Sequence, residues 1–207
     1  MTQIVLASGS PRRKEILEEI GLEFQVCPAK GEEIITSKVP AEVVMELASQ
    51  KAKEVAGGLL AYQEKHRDLT EPVDILVIGA DTVVAIGDEI LGKPTDEEHA
   101  AAMLRLLSDA THCVYTGVSF VFISADGRCG EYNFYDKTNV TFYPMSEDEI
   151  RRYIASGEPM DKAGAYGIQG RCRIFIKEIK GDYFNVVGLP VGKLYQELQR
   201  LGFDLHL

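Results

Sequence analysis

Residues 74–94, DILVIGADTVVAIGDEILGKP, constrain the chain more than any other stretch. The first half is an unbroken apolar run, the pattern of a strand covered on both faces. Gly79 to Thr82 reads as a break, and Gly87 with Asp88 reads as the turn of a hairpin. Upstream, Ile4 to Leu6 form a second short strand, followed by the small residues Ala7, Ser8 and Gly9. Ser10 and Pro11 suit an N-cap and first helical position, the serine oxygen accepting from an amide that would otherwise be orphaned. Ile16, Leu17 and Ile20 give that helix one apolar face, and Gly21 suits the left-handed position that ends it.

Further along, Pro40 to Ala56 repeats apolar residues at Val44, Leu47, Ala48, Ala52 and Val55, which predicts a second helix. The polar stretch from Gly57 to Asp74 reads as a surface excursion. Thr95 and Glu98 form one capping box and Ser146 and Glu149 another, each opening a helix. HCVYTGVSFVFIS and EYNFYDKTNVTFY, joined by an ADG turn, predict a long hairpin, and RIFIKEIKGDYFNVV predicts a shorter one. A last amphipathic helix covers Pro190 to Leu201. Strands and helices mix without strict alternation, so the expected class is α/β, a mixed sheet with flanking helices.

The 207 residues suit one domain or two fused lobes. With 22 basic and 32 acidic residues the net charge is −10, which argues against nucleic acid or an anionic membrane as partner. A small polyanion still fits if basic side chains gather in one place. Cys27, Cys113, Cys129 and Cys172 are widely spaced and predict free thiols. No signal peptide or membrane-spanning run is visible, so a cytoplasmic location is the expectation.

Several residues stand out against this background. Arg12, Arg13 and Lys14 occupy the first turn of a helix, where the positive pole disfavours each cation by roughly 0.3 to 1 kcal/mol. Either an anion, such as phosphate, is held by the free amides and the guanidinium groups, or the arginines bend back to Glu15, Glu18 or Glu19. Lys51 falls on an apolar helical stripe, as a snorkelling side chain or as a charge aimed into a cleft. Asp81 interrupts the apolar run, so it needs a cation, a metal or several donors nearby, unless it only forms a turn. Lys93 follows the hairpin and can return to the same sheet end. GEPMDKAGAYGIQG, residues 157–170, is a glycine-rich loop around Asp161, Lys162 and Gln169 that lets backbone amides approach a ligand. Walker and dinucleotide fingerprints are absent, and GVSFV lacks the last glycine of a nucleophile elbow.

Taken in order, LASGSPRRKEIL, LASQKA, GADTVV, LGKP, FYDKTNV, GEPMDKAGAYGIQG and GDYFNVVGLP resemble the Maf family of nucleotide pyrophosphatases, from Ile4 to the C-terminal helix. The resemblance implies a fold similar to inosine triphosphate pyrophosphatases, a single domain over 1–207 with two lobes around a cleft. It implies a divalent metal cofactor (Mg²⁺, Mn²⁺ or Co²⁺) and hydrolysis of a nucleoside triphosphate to the monophosphate and pyrophosphate. By motif, Ser8, Arg12, Arg13, Lys51 and Lys93 would hold phosphate and Asp81 would accept a proton. Glu33 and Asp161 would be acidic members of the site, with Glu33 and Asp81 the metal ligands.

Thr82 and Gln169, with Arg12, resemble the branch acting on dTTP and UTP, whereas the sister branch acting on 7-methylguanosine triphosphate carries glutamine and glutamate at the first two. A glutamine amide both donates and accepts, which matches the edge of uracil or thymine, and modified pyrimidine triphosphates are further candidate substrates. Lys30 departs from the family, which often has an acid three residues before the Glu33 position. Two alternatives stay open at this stage, a 7-methylguanosine triphosphate pyrophosphatase and a nucleotide sensor of cell division without turnover. A homodimer is compatible with such folds.

Overall fold

The computed structural model describes residues 2–66, 71–203 and 205. In chain order the elements are β1 (Gln3–Leu6), α1 (Pro11–Glu19), β2 (Gln25–Val26), α2 (Pro40–Lys65), β3 (Ile75–Ile86) and β4 (Glu89–Leu91). They continue as α3 (Glu97–Leu107), β5 (Thr111–Ile123), β6 (Cys129–Phe142), α4 (Glu147–Ile154), β7 (Ile176–Lys180), α5 (Tyr183–Val187) and α6 (Val191–Arg200). The sheet order is β2-β1-β3-β5-β6-β7, with β4 paired to β3 off this path. β1 is parallel to both β2 and β3, while β3 with β4 and β6 with β7 are antiparallel, so the sheet is mixed as expected.

The chain divides into two compact units. The first comprises residues 1–81, 117–135 and 191–207, and the second 82–116 and 136–190. In the first, β1 and the opening of β3 lie beside α2, whose Ala52, Val55 and Ala56 share a core with Val5, Val77 and Ile123. Glycine makes this packing possible. A Cβ at Gly79 would overlap the Ala48 carbonyl oxygen, and one at Gly117 the Val44 carbonyl, so both strands admit the helix backbone only without side chains there. In the second unit the largest fully buried side chains include Leu104, Leu107, Phe142, Ile150 and Leu189.

Several expectations change. β3 runs through Gly79–Thr82 without the anticipated break, because that glycine serves close approach and not a turn. α2 continues over Gly57 and Gly58 to Lys65 where a surface excursion was expected. Each glycine costs about 1 kcal/mol relative to alanine in a helix, and Leu59 and Leu60 offset this by packing against the core. Residues 67–70 of that stretch lie outside the described residues.

Helix starts differ as well. Ser10 is the N-cap residue of α1, yet its side chain makes no capping bond. Asp96, not Thr95, caps α3 by accepting from the His99 amide, whereas the Ser146–Glu149 capping box forms as read. The shorter predicted hairpin does not form: β7 pairs with β6, and Asp182 then caps α5 by accepting from the Phe184 amide. The longer one does, with Gly127 at φ 86° in its turn and Thr111 and Cys113 facing Thr141 and Asn139 in antiparallel sense. The four cysteines are free thiols. No helix among the described residues is long and apolar enough to cross a membrane.

Candidate active site

In the first unit the chain leaves β1 through Ala7, Ser8 and Gly9 and enters α1 at Pro11. Ser8 is buried at this joint, and its Oγ accepts from the Ser10 amide at 3.3 Å and from Arg13 Nη1 at 3.0 Å. Arg13 therefore turns toward the strand end and not back along its helix, while Lys14 takes Glu18 at 3.3 Å. Burial lowers the Arg13 pKa, Asp81 opposes this by attraction, Arg12 adds repulsion, and Glu33 attracts. Arg13 thus lies in the field of its neighbour Arg12 and of two carboxylates far away in sequence.

Lys51 joins them. It lies on the α2 stripe between Ala48 and Ala52, both fully buried, and its Nζ reaches Asp81 Oδ1 at 2.5 Å and Glu33 Oε1 at 2.8 Å. Side-chain exposure is 20% for Lys51 and 13% for Asp81, so the Asp81 ion pair is largely withdrawn from solvent. The cation that Asp81 required is Lys51, and the snorkelling alternative for that lysine is replaced by a pair that spans the two elements. Ser8, Arg12, Arg13, Glu33, Lys51 and Asp81 all belong to this unit.

Thr82, Lys93, Asp161 and Gln169 belong to the second unit. Thr82 Oγ1 lies 2.9 Å from Thr116 Oγ1, which donates to the Asn185 carbonyl at 2.9 Å. Asn185 is fully buried, and its side-chain amide donates to the Val114 carbonyl and to Thr138 Oγ1, both at 3.0 Å. Thr116 has one proton and gives it to a carbonyl, so Thr82 is the donor in the threonine pair. Lys93 is exposed beside Gly92, whose carbonyl accepts from the Gly164 amide at 3.0 Å and ties the glycine-rich loop to this hairpin. Asp161 pairs with Lys162 at 2.6 Å, and Gln169 is exposed.

Sequence reasoning missed what shapes that loop. Glu158 accepts from Tyr153 Oη at 2.9 Å and from the Arg171 amide at 2.9 Å, and a Cβ at Gly170 would overlap its carboxylate. Tyr153 Oη also accepts from the Gly167 amide at 3.1 Å. Gly167 and Gly170 are therefore small to admit Lys162 and Glu158, where the sequence suggested room for a ligand. Thr116, Thr138 and Asn185 were missed too; the available signal was polar residues inside apolar runs.

A family model described as Maf-like protein matches residues 3–201. The chain belongs to the Maf family. It is 66% identical to the dTTP/UTP pyrophosphatase of Agathobacter rectalis, over 99% of this chain and all of that one. Identity is 47% to the dTTP/UTP pyrophosphatase of Lachnoclostridium phytofermentans, over 99% and 98% of the two chains. It is 50% to that of a Geobacillus species, over 98% and 100%. A solved structure of the Staphylococcus aureus Ham1 protein is similar with a TM-score of 0.43 and 13% identity, covering 95% of this chain and 98% of that one. The Maf motifs read from the sequence thus fall within the matched range, from Ser8 to the GDYFNVVGLP segment.

Proposed function

We propose that this Maf chain is a nucleoside triphosphate pyrophosphatase acting on dTTP and UTP, the activity for which its relatives at 47 to 66% identity are named. The observation that carries the chemistry is Lys51 Nζ held between Asp81 and Glu33, with Arg13 in the same electrostatic neighbourhood. A triphosphate brings about four negative charges, and two unit charges 4 Å apart interact by roughly 4 kcal/mol at an effective dielectric of 20. Arg12, Arg13 and Lys51 offset that repulsion and stabilise the charge that develops on the leaving pyrophosphate. Asp81 accepts the proton of a water attacking the α-phosphorus in line with the bridging oxygen; that bond breaks, giving nucleoside monophosphate and pyrophosphate.

The donor set fits a divalent cation. Glu33 Oε1 and Asp81 Oδ1 both meet the Lys51 ammonium, each carboxylate has a second oxygen to offer, and Mg²⁺-type sites use one or two carboxylates and complete their shell with water and phosphate oxygens. Among the described residues no group of three or more His, Cys, Asp or Glu forms a dedicated cage, which such a site does not need. Glu33 and Asp81 would hold the ion, and when bound it supplies charge neutralisation for the phosphates. Lys30 gives its amide to Glu54 and takes no part in this set.

For Lys93, Asp161, Thr82 and Gln169 the roles rest on the family resemblance. The deciding experiment measures pyrophosphate from dTTP, UTP, CTP and 7-methylguanosine triphosphate with Mg²⁺ or Mn²⁺. Release from dTTP and UTP, abolished in Asp81→Asn while nucleotide still binds, is the expected result. Binding without release in either metal would overturn the enzyme in favour of a sensor. A shift of preference toward 7-methylguanosine triphosphate in Gln169→Glu tests the base-reading role.

A further inference from the structure

The segment from Lys30 to Ser37 runs along α2 and is fastened to it by side chains, not by a sheet. Glu54 accepts the Lys30 and Gly31 amides at 2.8 and 2.9 Å. Gln50 accepts the Ile34 amide at 2.9 Å and donates to the Ile34 carbonyl at 2.5 Å. Glu46 accepts both the amide and the hydroxyl of Thr36, at 3.1 and 2.5 Å. Glu42 takes the Ser37 hydroxyl at 2.5 Å. These four acceptors recur every fourth residue and form one row on the helix surface.

The spacing leaves little slack. From Glu54 back to Glu42 the helix rises about 18 Å, at 1.5 Å per residue. The six steps from Gly31 to Ser37 span about 20 Å when fully extended. At Gly31 a Cβ would stand 2.8 Å from Glu54 Oε2, so a side chain there would push that carboxylate out of its place on the two amides. Glu33 sits between the Gly31 and Ile34 fasteners, on the side of α2 where Lys51 meets it.

Magnitude decides what orders this segment. The Glu33 side chain is 52% exposed, and an ion pair at such exposure contributes too little to hold a strap in place. The fasteners are exposed as well but outnumber it, seven hydrogen bonds from four side chains of one helix against a single ion pair. The geometry points to Glu46, Gln50 and Glu54 as positioning residues for Glu33: the row on α2 delivers that carboxylate to Lys51 and so completes the acidic pair with Asp81. This inference rests on the pyrophosphatase reading of the site.

Gln50 must be an amide, because it meets both polar atoms of Ile34, and a carboxylate there would face a carbonyl oxygen. The test compares Gln50→Ala, Gln50→Glu, Glu54→Ala and Glu54→Gln in the full chain. Readouts are kcat and KM for UTP and amide hydrogen exchange over residues 30–36. Expected are faster exchange and a loss of kcat/KM of about five- to tenfold in Gln50→Ala and Glu54→Ala, one hydrogen-bond equivalent. Gln50→Glu fails like the alanine variant, and Glu54→Gln recovers part of the loss. In a Glu33→Gln background the same substitutions have no further effect on kcat/KM. Undiminished kcat/KM with accelerated exchange, or losses that multiply in full with Glu33→Gln, overturns the positioning role. Wild-type chain that releases no pyrophosphate would instead overturn the function itself.

Discussion

Lys51 of α2 and Asp81 of β3, 30 residues apart, meet at 2.5 Å through an ion pair largely withdrawn from solvent. Their energetic coupling is measurable. In a double-mutant cycle of Lys51→Met and Asp81→Asn, the two losses in unfolding free energy are expected to be non-additive by about 1 to 3 kcal/mol, as for contacting groups in one network. Urea unfolding of the four proteins gives the number. Strict additivity would mean that the two side chains do not pair in the folded chain in solution.

Arg13 is held at Ser8 by one arm of a planar fork, which leaves its other nitrogens oriented by that bond. A lysine has a single ammonium and cannot repeat the arrangement. Arg13→Lys should lower kcat/KM by about 10- to 150-fold, the 1.5 to 3 kcal/mol range of a hydrogen bond to a charged group, with little change in thermal midpoint. Steady-state kinetics beside a thermal melt separates the two effects.

His112 bears on pH stability. It is buried, its Nε2 lies 2.8 Å from Tyr166 Oη, and burial pushes its pKa down to about 4. An unfolded histidine titrates near 6.5, so on acidification the unfolded chain takes the proton first. Stability from this group is complete above about pH 6.5 and declines as pH falls toward 4, by up to about 3 kcal/mol. Urea unfolding at pH 7.5, 6, 5 and 4.5 should show that slope, and His112→Gln should flatten it.

Gly79→Ala should be among the most damaging small substitutions. Its methyl meets the Ala48 carbonyl oxygen and the Ala52 backbone, neither of which can swing aside. Overpacking of this kind costs about 1 to 3 kcal/mol. By contrast Gly57→Ala has open space and should stabilise α2 slightly. Differential scanning of the two variants gives opposite signs if the helix seat is as described.

The fold class was legible from apolar periodicity, and the need of Asp81 for a cation, a metal or several donors was legible because a carboxylate inside an apolar strand is a local contradiction, as is the Lys51 ammonium on an apolar stripe. Glu33 was not legible by periodicity, since it lies in a segment ordered by side chains of another element. The same holds for Glu158, whose partners at Tyr153 and Arg171 belong to no repeating pattern. Glycines misled in one direction. At Gly79 and Gly170 the residue admits a neighbour, where local reading sees a break or an open loop.

Because Gly79 and Gly117 let the α2 backbone rest directly on β3 and β5, the spacing of Asp81 and Lys51 is set when the chain folds, before any nucleotide arrives. Reorganisation that a looser protein would undergo at each turnover is completed here once, during folding. Heating should therefore leave the chemical step intact until the whole first unit melts, with activity and tertiary structure disappearing at one temperature.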